Sequence, residues 1–94
     1  TIYQRGGSNV KQSYPVVITH TDDGWYAVHV PDLGIDTQGK KFYKALDMAR
    51  DAIVLWIDQQ REQGREVKQP SRIKDIDCTE GDLVVTVDVI LAPF

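Results

Sequence analysis

Branched apolar residues dominate two short stretches early in the chain. Residues 14–21 (YPVVITHT) form the first and residues 25–30 (WYAVHV) the second, with Asp22-Asp23-Gly24 between them. β-Branched and aromatic side chains suit a pleated, half-buried surface, and Asp-Gly between two such runs predicts a β-hairpin. Pro15 stands at the start of the first run, where a strand tolerates it. Pro31-Asp32 ends the pairing, residues 33–38 (LGIDTQ) supply a short third strand, and Gly39 breaks it. Over residues 40–63 the period lengthens from two to three or four. Phe42, Ala45, Leu46, Ala49, Ala52, Ile53, Trp56 and Ile57 make one apolar stripe, which predicts a long amphipathic helix. Gly64 suits the position just past its end, and Arg61 and Arg65 suit the negative pole of its dipole. A polar connection fills residues 65–82, and LVVTVDVIL at residues 83–91 reads as the last and longest strand. The order is β-β-β-α-β. The fold class is α+β: an antiparallel hairpin and third strand, a last strand, and one long helix on one face of the sheet.

Residues 1–13 (TIYQRGGSNVKQS) are polar, with Gly6-Gly7-Ser8-Asn9 at their centre. They read as a flexible or vector-derived lead, with ordered chain starting near Val10 and one domain over residues 14–94. A short strand over residues 2–4 is the alternative.

The apolar positions outnumber what one helix can cover. With side chains alternating across the hairpin, one face is expected to carry Val17, Thr19, Tyr26, Val28 and Val30. The other would carry Val16, Ile18, His20, Trp25, Ala27 and His29. Both are substantially apolar, and the last strand adds Leu83, Val85, Val87, Val89 and Leu91 on one side with Val84 and Ile90 on the other. A contiguous apolar patch left in water marks an interaction site. Ile18, His20, Trp25, Ala27 and His29 are therefore the expected partner or self-association surface. The competing reading is that the 65–82 connection folds over the second face.

Composition narrows the function without deciding it. The 94 residues are 41% hydrophobic and 27% charged, with a net charge of −3 and one cysteine. A chain of this size buries roughly 60–70% of its unfolded surface, enough for one modest core. The acidic balance argues against a general nucleic-acid coat protein, and no apolar run reaches the length of a membrane span. The cytoplasm is the default location. Cys78 alone makes no internal disulfide. His20 and His29, expected side by side on one face, lack further ligands for a metal site. Asp22, Asp23, Asp32 and Asp36 cluster near turns, where Asp serves local backbone bonding. A two-metal nuclease needs carboxylates converging from a strand, and residues 14–21 hold none. No nucleophile motif, phosphate loop or cofactor signature is present, so no catalytic residue, metal or cofactor is assigned.

Charge is unevenly placed. Nine of the eleven basic residues lie between positions 40 and 74, and residues 75–94 hold five acids and no base. Lys40, Lys41 and Lys44 crowd the helix N-terminus, where the dipole is already positive, and are the anion or nucleic-acid candidates. Together with Trp25 and His29 they leave RNA binding open as a second function. Asp75, Asp77, Glu80 and Asp82 suit a basic partner.

Four runs then carry a family resemblance. Tyr14-Pro15-Val16-Val17-Ile18, Asp23-Gly24-Trp25-Tyr26-Ala27-Val28, Pro31-Asp32-Leu33 and Thr37-Gln38-Gly39 are similar in order and spacing to the HicB antitoxins. Lys44-Ala45-Leu46, the alanines 49 and 52, and Pro70-Ser71 continue the match to about residue 91. The resemblance implies a degenerate, RNase H-like α+β fold without nuclease activity. It also implies a partner, HicA, a small basic mRNA-cleaving toxin that the antitoxin silences, and self-association as a homodimer or larger assembly. Three features depart from the family pattern. Gly34-Ile35 replaces a Pro-Gly pair, and Lys40-Lys41 replaces an acid-Thr pair, which removes the expected helix cap. The sequence shows no DNA-binding segment before it ends at Phe94, so operator binding is not expected of it.

Overall fold

The computed structural model describes residues 10–91. It contains β1 (Val10–His20), β2 (Tyr26–Val30), β3 (Ile35–Gly39), α1 (Phe42–Glu62) and β4 (Leu83–Leu91), with one 3-10 turn at Ile73–Asp75 in the connection. The strands form one antiparallel sheet in the order β3-β2-β1-β4. The expected α+β class and element order are those found. β1 starts at Val10, and residues 10–13, assigned to the lead, pair with β4 from Val10↔Leu91 to Ser13↔Asp88. Residues 1–9, with the alternative strand at 2–4, lie outside the described residues.

α1 packs on one face of the sheet. Ala45, Ala49, Ile53 and Ile57, four residues apart, are fully buried, and opposite them lie Tyr14, Val16, Ile18, Val28, Val30, Val87, Val89 and Leu91. Each large side chain so buried contributes about 1.5–3 kcal/mol of transfer free energy before entropy is counted. The helix begins at Phe42, the first residue of its apolar stripe and two residues after the expected start at residue 40. Lys41 occupies the N-cap in an extended conformation and offers no side-chain bond to the exposed amides. Gly39 sets how close the helix comes, because a Cβ there would lie 2.6 Å from the Ala45 amide nitrogen.

The hairpin register differs from the expectation. His20 pairs with Tyr26 and Ile18 with Val28. The Thr21 amide bonds the Trp25 carbonyl at 2.9 Å, which leaves a three-residue loop closed by Gly24 at φ +85°. An odd loop exchanges the faces of one strand relative to an even one. Val16, Ile18 and His20 therefore stand with Tyr26, Val28 and Val30 under the helix, and Val17 and Thr19 stand with Ala27 and His29 on the open face. The expected grouping of Ile18, His20, Ala27 and His29 does not form, and the two histidines lie on opposite faces.

The connection from α1 to β4 is tied down along its length. The Tyr14 hydroxyl donates to the Lys68 carbonyl at 2.7 Å. The Asp32 carboxylate accepts from the Ser71 amide at 2.7 Å and the Ser71 hydroxyl at 2.6 Å, with Lys68 Nζ at 3.0 Å. Thr19 donates to Asp82 at 2.9 Å just before β4 begins. Pro15 is fully buried although its register position faces away from α1. The second face is thus covered at Pro15, while Tyr14 and Val67, which join the core under α1, hold that part of the connection on the helix side.

Candidate functional site

What stays open on that second face is ordered in rows across the sheet. Cα pairing aligns Val84, Val17, His29 and Asp36 in one row, and Thr19, Ala27 and Gln38 in the next. Val17, Ala27 and Val84 are half-buried; His29, Asp36 and Gln38 are exposed. Val17, Thr19, Ala27, His29, Asp36 and Gln38 border a shallow hollow of about 540 Å³ over β1, β2 and β3. His29 Nδ1 lies 2.7 Å from Asp36 Oδ1 across the β2–β3 pair. Asp82 sits at the end of the Thr19 row, and Asp88 lies on the same face of β4. Asp88 accepts from the Ser13 hydroxyl at 2.5 Å and pairs with Lys11 at 3.4 Å. The Ser13 bond first, then Lys11 and Arg50, hold its carboxyl below the usual range against a modest cost of desolvation. The result is an apolar centre with carboxylates at its edges.

A second surface gathers at the start of α1. Trp25, half-buried, lies under Lys40, whose Nζ is 5.4 Å from the ring centroid. Trp25, Lys40, Lys41, Tyr43, Lys44 and Met48 line a hollow of about 440 Å³. The structure therefore joins Trp25 to the three lysines rather than to the histidines.

The five residues expected to form one partner surface divide accordingly. Ala27 and His29 share the open face, and Trp25 belongs to the lysine hollow. His20 stacks on Tyr26 with centroids 4.5 Å apart, on the helix side. Ile18 is 3% exposed and belongs to the core. Val17 was expected on the opposite face from His29, Asp36 was read as turn chemistry, and Gln38 was not singled out; the loop count at residues 22–24 brings Val17 beside His29, and the β2–β3 register places Asp36 and Gln38. Among the described residues no group of three or more His, Cys, Asp and Glu could hold a metal ion, and no helix is long and apolar enough to cross a membrane.

This architecture matches known proteins over most of its length. A family described as the HicB-like antitoxin of bacterial toxin-antitoxin systems matches residues 14–92. The chain belongs to the HicB-like antitoxin family. It is 38% identical over 55 residues to the UPF0150 protein Ta0767 of Thermoplasma acidophilum, covering 57% of this chain and 80% of that protein. The N-terminal domain of the Burkholderia pseudomallei antitoxin HicB superposes with a TM-score of 0.73 at 23% identity, over 81% of this chain and 95% of that one. A chain of a toxin-antitoxin complex from Streptococcus pneumoniae superposes at 0.75 with 24% identity, over 85% of this chain and 69% of that one. The HicB-like family is non-enzymatic.

Proposed function

We propose that this HicB-like domain neutralises a small basic toxin of the HicA type, an mRNA-cleaving protein of the cytoplasm, by covering it with the open face of its sheet. The observation that carries the reading is the row Val84–Val17–His29–Asp36. It is apolar at its centre, no helix among the described residues packs on it, and Asp36, Asp82 and Asp88 border the face. Apolar area at the middle of an interface supplies affinity, and carboxylates around it select a basic partner and speed its encounter. The Streptococcus pneumoniae neighbour, described as a toxin-antitoxin complex, supports the same class of partner.

Ala27→Lys tests the reading. It places a bulky cation at the centre of the face, where a basic toxin would meet both a clash and a like charge. Titration calorimetry against a HicA-type toxin is expected to show tight binding by the wild type and a loss of at least about thirtyfold for the variant, the scale of a central interface residue. Equal affinities would remove the open face from the interface.

The Trp25–lysine hollow favours RNA as the second reading, because an aromatic ring beside clustered ammonium groups can stack a base and hold its phosphate. Replacing Lys40, Lys41 and Lys44 by Ala separates the two. Under the toxin reading the triple variant still binds toxin; a salt-dependent shift of single-stranded RNA that it abolishes would give the domain to RNA.

A further inference from the structure

One residue turns the chain back at the end of α1. Gly64 stands at φ +70°, its amide bonds the Arg61 carbonyl at 3.0 Å, and the Arg65 amide bonds the Gln60 carbonyl at 2.9 Å. A left-handed glycine just past a helix reverses the chain at little steric cost. Residues 65–69 then return along the helix side of the sheet. Val67 packs against the core there, and the Tyr14 hydroxyl holds the Lys68 carbonyl.

Between this returning segment, α1, the start of β1 and the end of β4 lies a hollow of about 610 Å³. Tyr14, Ile57 and Leu91, all members of the core, and the half-buried Val67 give it an apolar lining. Arg61, Arg65 and Lys68 line it as well, against one carboxylate, Glu66. The whole chain carries a net charge of −3, so this grouping of cations runs against the overall balance. The aliphatic stems of the three cations extend the apolar lining and carry charge only at their tips. Lys68 Nζ lies 3.0 Å from the Asp32 carboxylate, which takes up part of its charge. The arginines differ in kind, because a planar guanidinium offers paired N–H donors that match the two oxygens of a carboxylate. The charge of Arg61 is felt within the hollow: burial and then Asp32 push the Tyr14 hydroxyl above its ordinary range, and Arg61 opposes both.

A concave, partly apolar site of this size with a few convergent polar groups is the form in which proteins hold small molecules. We propose that the hollow binds a small carboxylate with an apolar body, the body against Val67, Leu91 and Tyr14 and the carboxylate on Arg65 and Arg61. A bare inorganic anion would leave the apolar lining unused, and a neutral apolar molecule would leave the guanidiniums unmatched. Gln12, which also lines the hollow, alternates with Tyr14 onto the helix side of β1. The site therefore lies behind the Val84–Val17–His29–Asp36 row, and a partner on the open face does not compete for it. The inference does not rest on the toxin reading.

Titration of the chain with phenylbutyrate, followed by amide NMR shifts and by calorimetry, tests the site. Phenylbutanol keeps the ring without the charge, and acetate keeps the charge without the ring. Phenylbutyrate is expected to bind saturably and at least about tenfold more tightly than either control, with the largest shifts at Gln12, Val67, Gln69 and Leu91. Arg65 and Glu66 are exposed, so substitution at either leaves the core untouched. Arg65→Glu is expected to weaken binding about tenfold or more, and Glu66→Gln to tighten it about twofold. Equal binding of the alcohol or of acetate overturns the proposal, as does a titration that does not saturate at millimolar concentration. Shifts centred on the open face overturn it too. So do two variants that change affinity in the same direction or not at all, because charge around the hollow is then not what holds the ligand.

Discussion

Asp32→Asn isolates the tie between the hairpin and the connection. The Asp32 side chain is 1% exposed, and its carboxylate holds two groups of a residue 39 positions away, the amide and hydroxyl of Ser71. Asparagine keeps the shape and one acceptor oxygen but turns an NH₂ group toward the other donor. Losing one bond to a charged acceptor costs about 1.5–3 kcal/mol, and the surviving bond, now to a neutral oxygen, weakens by up to about 1 kcal/mol. The Lys68 pair adds little, because that ammonium is 62% exposed. The sum is about 2–4 kcal/mol, or a fall in Tm of roughly 10–20 °C for a domain of this size. Acidity provides a second check. Burial pushes the Asp32 carboxyl up, but the Ser71 hydroxyl and amide and the Lys68 ammonium together bring it below its ordinary 3.8. A depressed carboxyl stabilises the fold fully above its unfolded pKa and stops doing so as pH falls through the folded value. The stability gap between wild type and Asp32→Asn is therefore expected to hold from pH 7 to about pH 5 and to narrow below about pH 4. Urea denaturation followed by circular dichroism across that range measures it. A variant within about 0.5 kcal/mol of wild type at pH 7, or a gap that widens in acid, would refute the reasoning.

Gly39→Ala is expected to destabilise by at least about 2 kcal/mol, because the new methyl meets the Ala45 backbone at 2.6 and 2.8 Å and α1 must shift; thermal melts detect it. Lys41→Asp supplies the missing N-cap and a favourable charge at the helix start, and should raise stability by about 1 kcal/mol, read as a Tm higher by about 4–8 °C. Tyr14→Phe leaves the Lys68 carbonyl without its donor and should cost about 1 kcal/mol, measured by urea denaturation.

Long periodic segments were legible in the sequence, and geometry set by single side chains was not. β4 occupies Leu83–Leu91 as its alternation requires, and α1 follows its apolar stripe except where Lys40-Lys41 fails to cap it. β3 begins two residues later than expected, because the Leu33 and Gly34 amides both fold back to the Val30 carbonyl. The hairpin register depended on whether the loop at residues 22–24 held an odd or even number of residues. That was settled by Thr21, whose hydroxyl bonds the Asp23 carboxylate and the Trp25 carbonyl. One residue in that count moved Ile18 into the core and left His29 on the open face. Asp32 read as ordinary turn chemistry, and its partner Ser71 is too far along the chain for local spacing to reveal.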